Sequence, residues 1–252
     1  DEPRIAAYTT VLDRLTTDGY DKSTTRSSII DRRYTRMFLA SLFDQVIKKD
    51  EVLSRTLQRL KSHPQVIDEL RELLVLLRDR ISHVTQPLGT HPDVPLQIHA
   101  RYTRIELLAA FGEGEGDTES TTITKITPWQ AGVKWLPSVN SDILTITMDK
   151  TGNAFSATTR YRDYAISQTL LHWESQSITR EDSPTGLRYQ THEERGSHVM
   201  FFARHNRSER FYYFLGPAAY VSHQGEKPMA VKWRLHESLP SDLFTSLAAA
   251  VA

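Results

Sequence analysis

Residues 154–177, AFSATTRYRDYAISQTLLHWESQS, crowd together side chains able to recognise a flat, polar ring. Tyr161, Tyr164 and Trp173 offer flat faces. Asp163, when ionised, only accepts hydrogen bonds, Arg160 and Arg162 donate through planar forks, and Ser175 and Gln176 do both. Rings flanked by directional donors and acceptors are what a pocket for a heteroaromatic base requires. The competing interpretation is structural: a turn and a helix whose rings cover a sheet.

Other chemistries fit less well. His192, His198 and His205 are spaced six and seven apart, which matches no metal-ligand pattern, so no metal or other cofactor is expected. There is no GxSxG nucleophile turn. Glu174, Glu181 and Asp182 read as solvated loop charges rather than an acid/base pair. The glycines of GEGEGDTES neither follow a strand nor open a helix, as a phosphate loop must. Arg180, Arg204 and Arg207 lie near loop ends, where they could meet phosphates, although an ordinary mixed-charge surface would look the same. Phe211, Tyr212, Tyr213 and Phe214 are consecutive, so on a strand alternate rings face opposite sides.

The elements that must position these residues divide at QPLGTHPDVP, residues 86–95. Before it, apolar residues recur at helical spacing over 5–15, 30–47, 52–60 and 64–84, with Pro64 suited to a first helical turn. Leu70, Leu73, Leu74, Leu77 and Ile81 form the expected buried stripe of the last helix. After it comes a short helix over 103–111. Strand-like runs follow at 123–126, 132–136, 142–148, 187–192, 199–205, 211–215, 218–223 and 229–235, with one helix near 164–171. Such a succession predicts an α+β chain in which a helical bundle precedes a strongly curved, mainly antiparallel sheet or small barrel.

Composition narrows the classes of function. The 252 residues hold 31 basic and 31 acidic side chains and no Cys. A nonspecific nucleic-acid binder is normally basic, so a role on nucleic acid must rest on a local patch or a specific pocket. Disulfides and thiolate chemistry are excluded, which fits a reducing cytoplasm. No apolar run approaches the roughly 18 residues of a membrane span, and the acidic N-terminus has no signal architecture. Starting without Met, the chain reads as a fragment.

FSATTRYRDYAIS, LLHWESQS and FLGPAAYVSHQGEKPMAVKWRL, with the upstream PLQIHARYTRIELLAAFG, together resemble a bacterial domain family of unassigned function. Its members sit at the C-terminal end of superfamily-two helicase proteins, often with a phospholipase-D-like nuclease at the other end. Proteins of that layout look like type IV restriction enzymes, which cut DNA carrying modified cytosine and serve in phage defence. Their C-terminal domain is similar to the SRA readers, a branch of the PUA-like barrels. The resemblance implies a helical connector over 1–94 and an SRA/PUA-like β-barrel over 95–252.

It also implies a role for each residue of the central stretch. SRA readers flip the target cytosine out of the duplex and hold it between aromatic rings, while a carboxylate accepts from its exocyclic amine. On that pattern Tyr161, Tyr164 and Trp173 would wall the pocket and Asp163 would take the amine. Ser175 and Gln176 would complete the edge, and Arg160, Arg162, Arg180, Arg204 and Arg207 would meet the DNA backbone. Tyr161-Arg162-Asp163 is one residue shorter than the aromatic-x-x-acid grouping of SRA pockets, and Asp163 could instead pair with Arg160 or Arg162.

The implied partners are duplex DNA with modified cytosine, the helicase and nuclease modules of a bacterial cytoplasmic parent, and, as a homodimer, a second copy; no membrane is implied. Lacking GxxxxGK[ST] and paired HxK, the chain is expected to select a target without catalysing a reaction. The alternative is a protein-interaction or dimerisation module, carried by Phe211–Phe214 and the helix around Phe38.

Overall fold

The computed structural model describes residues 1–16, 28–43, 53–81, 83–115, 129, 132–148 and 163–248. Its helices and strands sort into two compact units, residues 1–128 and 129–252.

In the first unit α1 (Glu2–Thr16), α2 (Ile29–Phe43), α3 (Leu53–Lys61) and α4 (Pro64–Arg78) fall where apolar periodicity puts them. Tyr8, Val11, Leu12 and Leu15 of α1 meet Met37, Phe38 and Leu39 of α2 in a buried core. The short antiparallel pair β1 (Gln86–Pro87) and β2 (Gln97–Ile98) then leads to β3 (Arg101–Thr103) and α5 (Arg104–Ala110). Thr103 and Glu106 form a capping box: the Thr103 hydroxyl accepts from the Glu106 N–H at 3.3 Å, and Glu106 Oε2 accepts from the Thr103 N–H at 2.8 Å. Buried Glu106 also takes Arg4 at 3.1 Å and the Tyr8 hydroxyl at 3.3 Å. Burial, followed by the charge of Glu106, pushes the Tyr8 phenol well above its ordinary range.

Two expectations differ here. Residues 96–115 begin the C-terminal half by composition, but they pack with the helices: α5 lies on α2, and Arg36, fully buried, donates to the carbonyls of Ala109 and Glu113. The packing division therefore falls at 128/129, because buried polar groups of α1 and α2 find their partners on α5. Secondly, α4 buries Ile67 and Leu74, whereas Leu73, Leu77 and Ile81 are exposed and Leu70 is half-buried. Apolar periodicity sets the direction of a stripe; the neighbouring helices set its width.

In the second unit β4 (Val133–Leu136), β5 (Ser141–Thr147), β6 (Tyr164–Ser167), β7 (Leu170–Glu174), β8 (His198–Arg204), β9 (Phe211–Gln224) and β10 (Ala230–Leu235) lie in the order β4-β5-β8-β9-β10-β7-β6. β5 and β8 run parallel, and the other neighbouring pairs along this path are antiparallel. Helices α6 (Pro184–Gln190) and α7 (Ser241–Ala248) complete the unit.

The sheet doubles back over one core. Trp173 on β7 and Phe201 on β8 have ring centroids 6.4 Å apart although β9 and β10 lie between them. Neighbouring strands are about 4.8 Å apart, so in a flat sheet these two would stand roughly 14 Å from each other. The bend lies in β9, where Phe201 pairs with Gly216 and Phe202 with Phe214, leaving Leu215 as an extra residue. Gly216 takes φ 96°, a conformation a side chain would resist.

Local readings need correcting at three places. The expected strand over 187–192 is mostly α6: the Ser183 hydroxyl accepts from the Gly186 N–H at 3.1 Å, and Pro184 occupies the first turn. The expected helix near 164–171 is the β6–β7 hairpin, whose turn is Gln168–Thr169. The runs 211–215 and 218–223 are one strand, β9. No pair joins β4 to β6 among the described residues, so the sheet is open there rather than closed as a barrel. The run 123–126 lies outside the described residues.

Candidate nucleic-acid interface

The β6–β7 hairpin holds the described part of the chemistry-rich stretch. Asp163 immediately precedes β6, is 9% exposed, and accepts the backbone N–H of Glu174 at 3.1 Å. Register pairs Tyr164 with His172, and their rings stack at 4.7 Å with an interplanar angle of 13°. Both are half-buried. The carboxylate held by the Glu174 N–H thus lies one residue before Tyr164, a half-buried ring that also packs against the core of the second unit.

Strand alternation sends the neighbouring residues inward. Trp173 is buried, with edge-on contacts to Tyr189 at 5.5 Å and to Trp233 at 6.4 Å. Ser175 is fully buried; its hydroxyl accepts the Met229 N–H at 2.9 Å and donates to the Gln176 carbonyl at 3.2 Å. The same Gln176 carbonyl also receives the Thr179 N–H at 2.9 Å, so Gln176 helps close the loop after β7. Arg160, Tyr161 and Arg162 lie outside the described residues.

The expected backbone-contacting arginines are dispersed. Arg180 is exposed, forks onto Asp182 at 2.9 and 3.2 Å, and has Glu226 at 3.7 Å. Arg204 donates to Thr147 Oγ1 at 3.0 Å and to the Glu209 carbonyl at 2.9 Å, with its guanidinium 4.8 Å over the Tyr212 ring. Arg207 is exposed in the turn after β8. Among the consecutive aromatics, Tyr212 and Phe214 are buried, Tyr213 packs on the core from the other face, and Phe211 is half exposed.

Sequence reasoning passed over two polar constellations. Asp142, fully buried, takes Arg188 in a two-point ion pair at 2.6 and 2.8 Å, and Arg188 lies 4.5 Å over Trp135. Burial raises the Asp142 carboxyl and Arg188 opposes that shift. The Tyr220 hydroxyl is 2.6 Å from His223 Nδ1, whose Nε2 lies 3.0 Å from Glu181. No local signal joins residues 40 or more positions apart, such as Glu181 and His223 or Asp142 and Arg188. Among the described residues no cluster of three or more His, Asp or Glu is arranged to hold a metal ion, and no helix is long and apolar enough to cross a membrane.

The family described as "Domain of unknown function (DUF3427)" matches residues 96–247. The chain belongs to that family. No curated protein matches it. Two crystal structures of Arabidopsis thaliana SUVH6 in complex with SAM, forms 2 and 1, are similar over 96% of this chain at 14% identity, with TM-scores of 0.37 and 0.35. This chain covers 41% of each of those chains, less than half their length. The family match begins at the first residue after the proline-rich stretch 86–95 and takes in the whole of the folded-over sheet.

Proposed function

We propose that this chain is a DNA target-recognition module that binds duplex DNA carrying 5-methylcytosine-type bases and receives the extruded base beside Asp163 and Tyr164. The observation that carries this reading is Asp163, 9% exposed and pinned by the Glu174 N–H, one residue before Tyr164, whose ring stacks on His172. An extruded cytosine needs a ring to stack on and an acceptor for its amine, and unstacking costs a few kcal/mol that those contacts must return. The chain's resemblance to SRA readers supports the same assignment. Tyr161, Arg160 and Arg162 keep their proposed roles at the base and the flanking phosphate. Trp173 and Ser175 act one layer behind, holding β7 against the core.

In this reading the chain has no catalysis of its own. Helicase and nuclease modules of a larger bacterial, cytoplasmic restriction protein would act on the DNA it selects.

The test is fluorescence-anisotropy binding to a 5-methylcytosine duplex and its unmodified twin. Asp163→Asn keeps an oxygen for the Glu174 N–H but offers an amide where the cytosine amine needs an acceptor. The preference for modified DNA should fall about tenfold or more, in line with the roughly 1–3 kcal/mol of a well-made base contact, with Tm unchanged. An unaltered preference in Asp163→Asn and Tyr164→Ala would overturn the assignment. Trp173→Ala should instead lower stability by about 3–5 kcal/mol.

One observation favours a second reading, a protein-interaction module. Leu73, Val75, Leu76 and Leu77 are exposed together on α4. Phe38, expected to carry such an interface, is 2% exposed and belongs to the core. Concentration-dependent dimerisation in sedimentation experiments, without DNA binding, would favour this alternative.

A further inference from the structure

The outward face of β7, β10 and β9 carries a row that begins at the candidate pocket. Tyr164 is the register partner of His172, His172 of Lys232, and Lys232 of Ser222. On an antiparallel sheet such partners share one face. Along β10 burial alternates: Val231, Trp233 and Leu235 are buried, while Lys232 and Arg234 are exposed. Arg234 pairs in register with Leu170 and Ala219, so neither cation has an acidic residue directly opposite. Glu174, opposite Ala230, is the acidic residue of β7 on this side.

Several arginines of the protein stand in contrast to these two cations. Arg4, Arg33, Arg71, Arg78, Arg180 and Arg188 are each held by a carboxylate. Lys232 and Arg234 form no ion pair among the described residues. In a chain of zero net charge, an adjacent uncompensated pair on a sheet face is a local positive site. Residues two apart on a strand stand about 6.8 Å from each other. That is about the through-space separation of adjacent phosphates on one DNA strand, which exceeds the roughly 3.4 Å axial rise because the backbone winds around the axis.

We propose that Lys232 and Arg234 grip the phosphate backbone of duplex DNA, and that the row from Tyr164 through His172 to Lys232 aligns the duplex so that its target base meets Asp163. This rests on the function proposed above and adds the surface that carries the DNA. The cations fix position and the pocket reads the base, so the two contributions separate experimentally.

The experiment compares the wild-type 252-residue chain with Lys232→Ala/Arg234→Ala on modified and unmodified duplexes across a salt series. Both positions are exposed, so stability should change by no more than about 0.5 kcal/mol. The slope of log K against log salt should become shallower by about 1.8, at about 0.9 per lost phosphate contact. Both duplexes should weaken alike, with the preference for modified cytosine retained. Arg55→Ala/Arg59→Ala, which removes two cations from α3, should leave the slope in place.

An unchanged slope in the β10 variant, or an equal change in the α3 variant, overturns the proposal while leaving Asp163 untouched. A wild type that binds both duplexes equally, with the slope change still present, overturns the base-reading function and keeps the phosphate surface. Failure of the wild type to bind either duplex overturns both.

Discussion

His192 shows how much one buried side chain can determine. Its Nε2 accepts the Tyr220 N–H at 3.2 Å, so the proton of the neutral ring sits on Nδ1, which donates to the Ser197 carbonyl at 3.2 Å. Protonation would set a second N–H against the Tyr220 amide. Burial lowers the His192 pKa, so between the folded value and the unfolded value near 6.5 the unfolded chain binds more protons. Stability then rises with pH across that window and is lost on acidification. Melting curves from pH 7.5 to 5.5 should show a smaller fall in Tm for His192→Gln than for wild type, at about 2–4 °C per kcal/mol of linkage. Asp142, whose carboxyl is pushed up by burial, works in the opposite sense, so the difference between the two proteins isolates His192. The central stretch teaches a related lesson. Its residue types pointed to a base pocket, but reading 164–171 as a helix hid the two-residue alternation that buries Trp173 and leaves Tyr164 and His172 half-buried, with Tyr164 still packed against the core.

Among the elements, α4 separates apolar character from burial. Five residues were expected in its stripe, yet Leu74, with Ile67, is what the first unit encloses. Leu74→Ala should cost about 2–4 kcal/mol, and Leu76→Ala, at 59% exposure, no more than about 0.5, both measured by urea unfolding. Equal costs would mean that α4 has a partner covering its outer face. α5 is the contrasting case: the sequence predicts a short helix over 103–111, and the Thr103–Glu106 capping box fixes its start.

For the whole molecule the deciding quantity is charge. With 31 basic and 31 acidic residues there is no long-range attraction toward DNA as a polyanion. Unmodified duplex should therefore bind no more tightly than the usual nonspecific range, about 10⁻⁴–10⁻⁶ M at physiological salt, as read by anisotropy. Nanomolar binding of unmodified DNA would show that a larger basic surface dominates.

By itself the sequence determined where most elements lie, because helix caps, prolines and apolar periods act over a few residues. It also determined the absence of thiol chemistry and the balance of charge. Tertiary structure decided which face of each strand is buried, that β5 runs parallel to β8, and that an extra residue before Gly216 folds the sheet over its own core. Tertiary contacts also bring Asp142 to Arg188, and the β10–β7 pairing sets Lys232 beside His172. A local pattern fixes a period; direction and partner come from segments distant in the chain, whose pairing no neighbouring residue encodes.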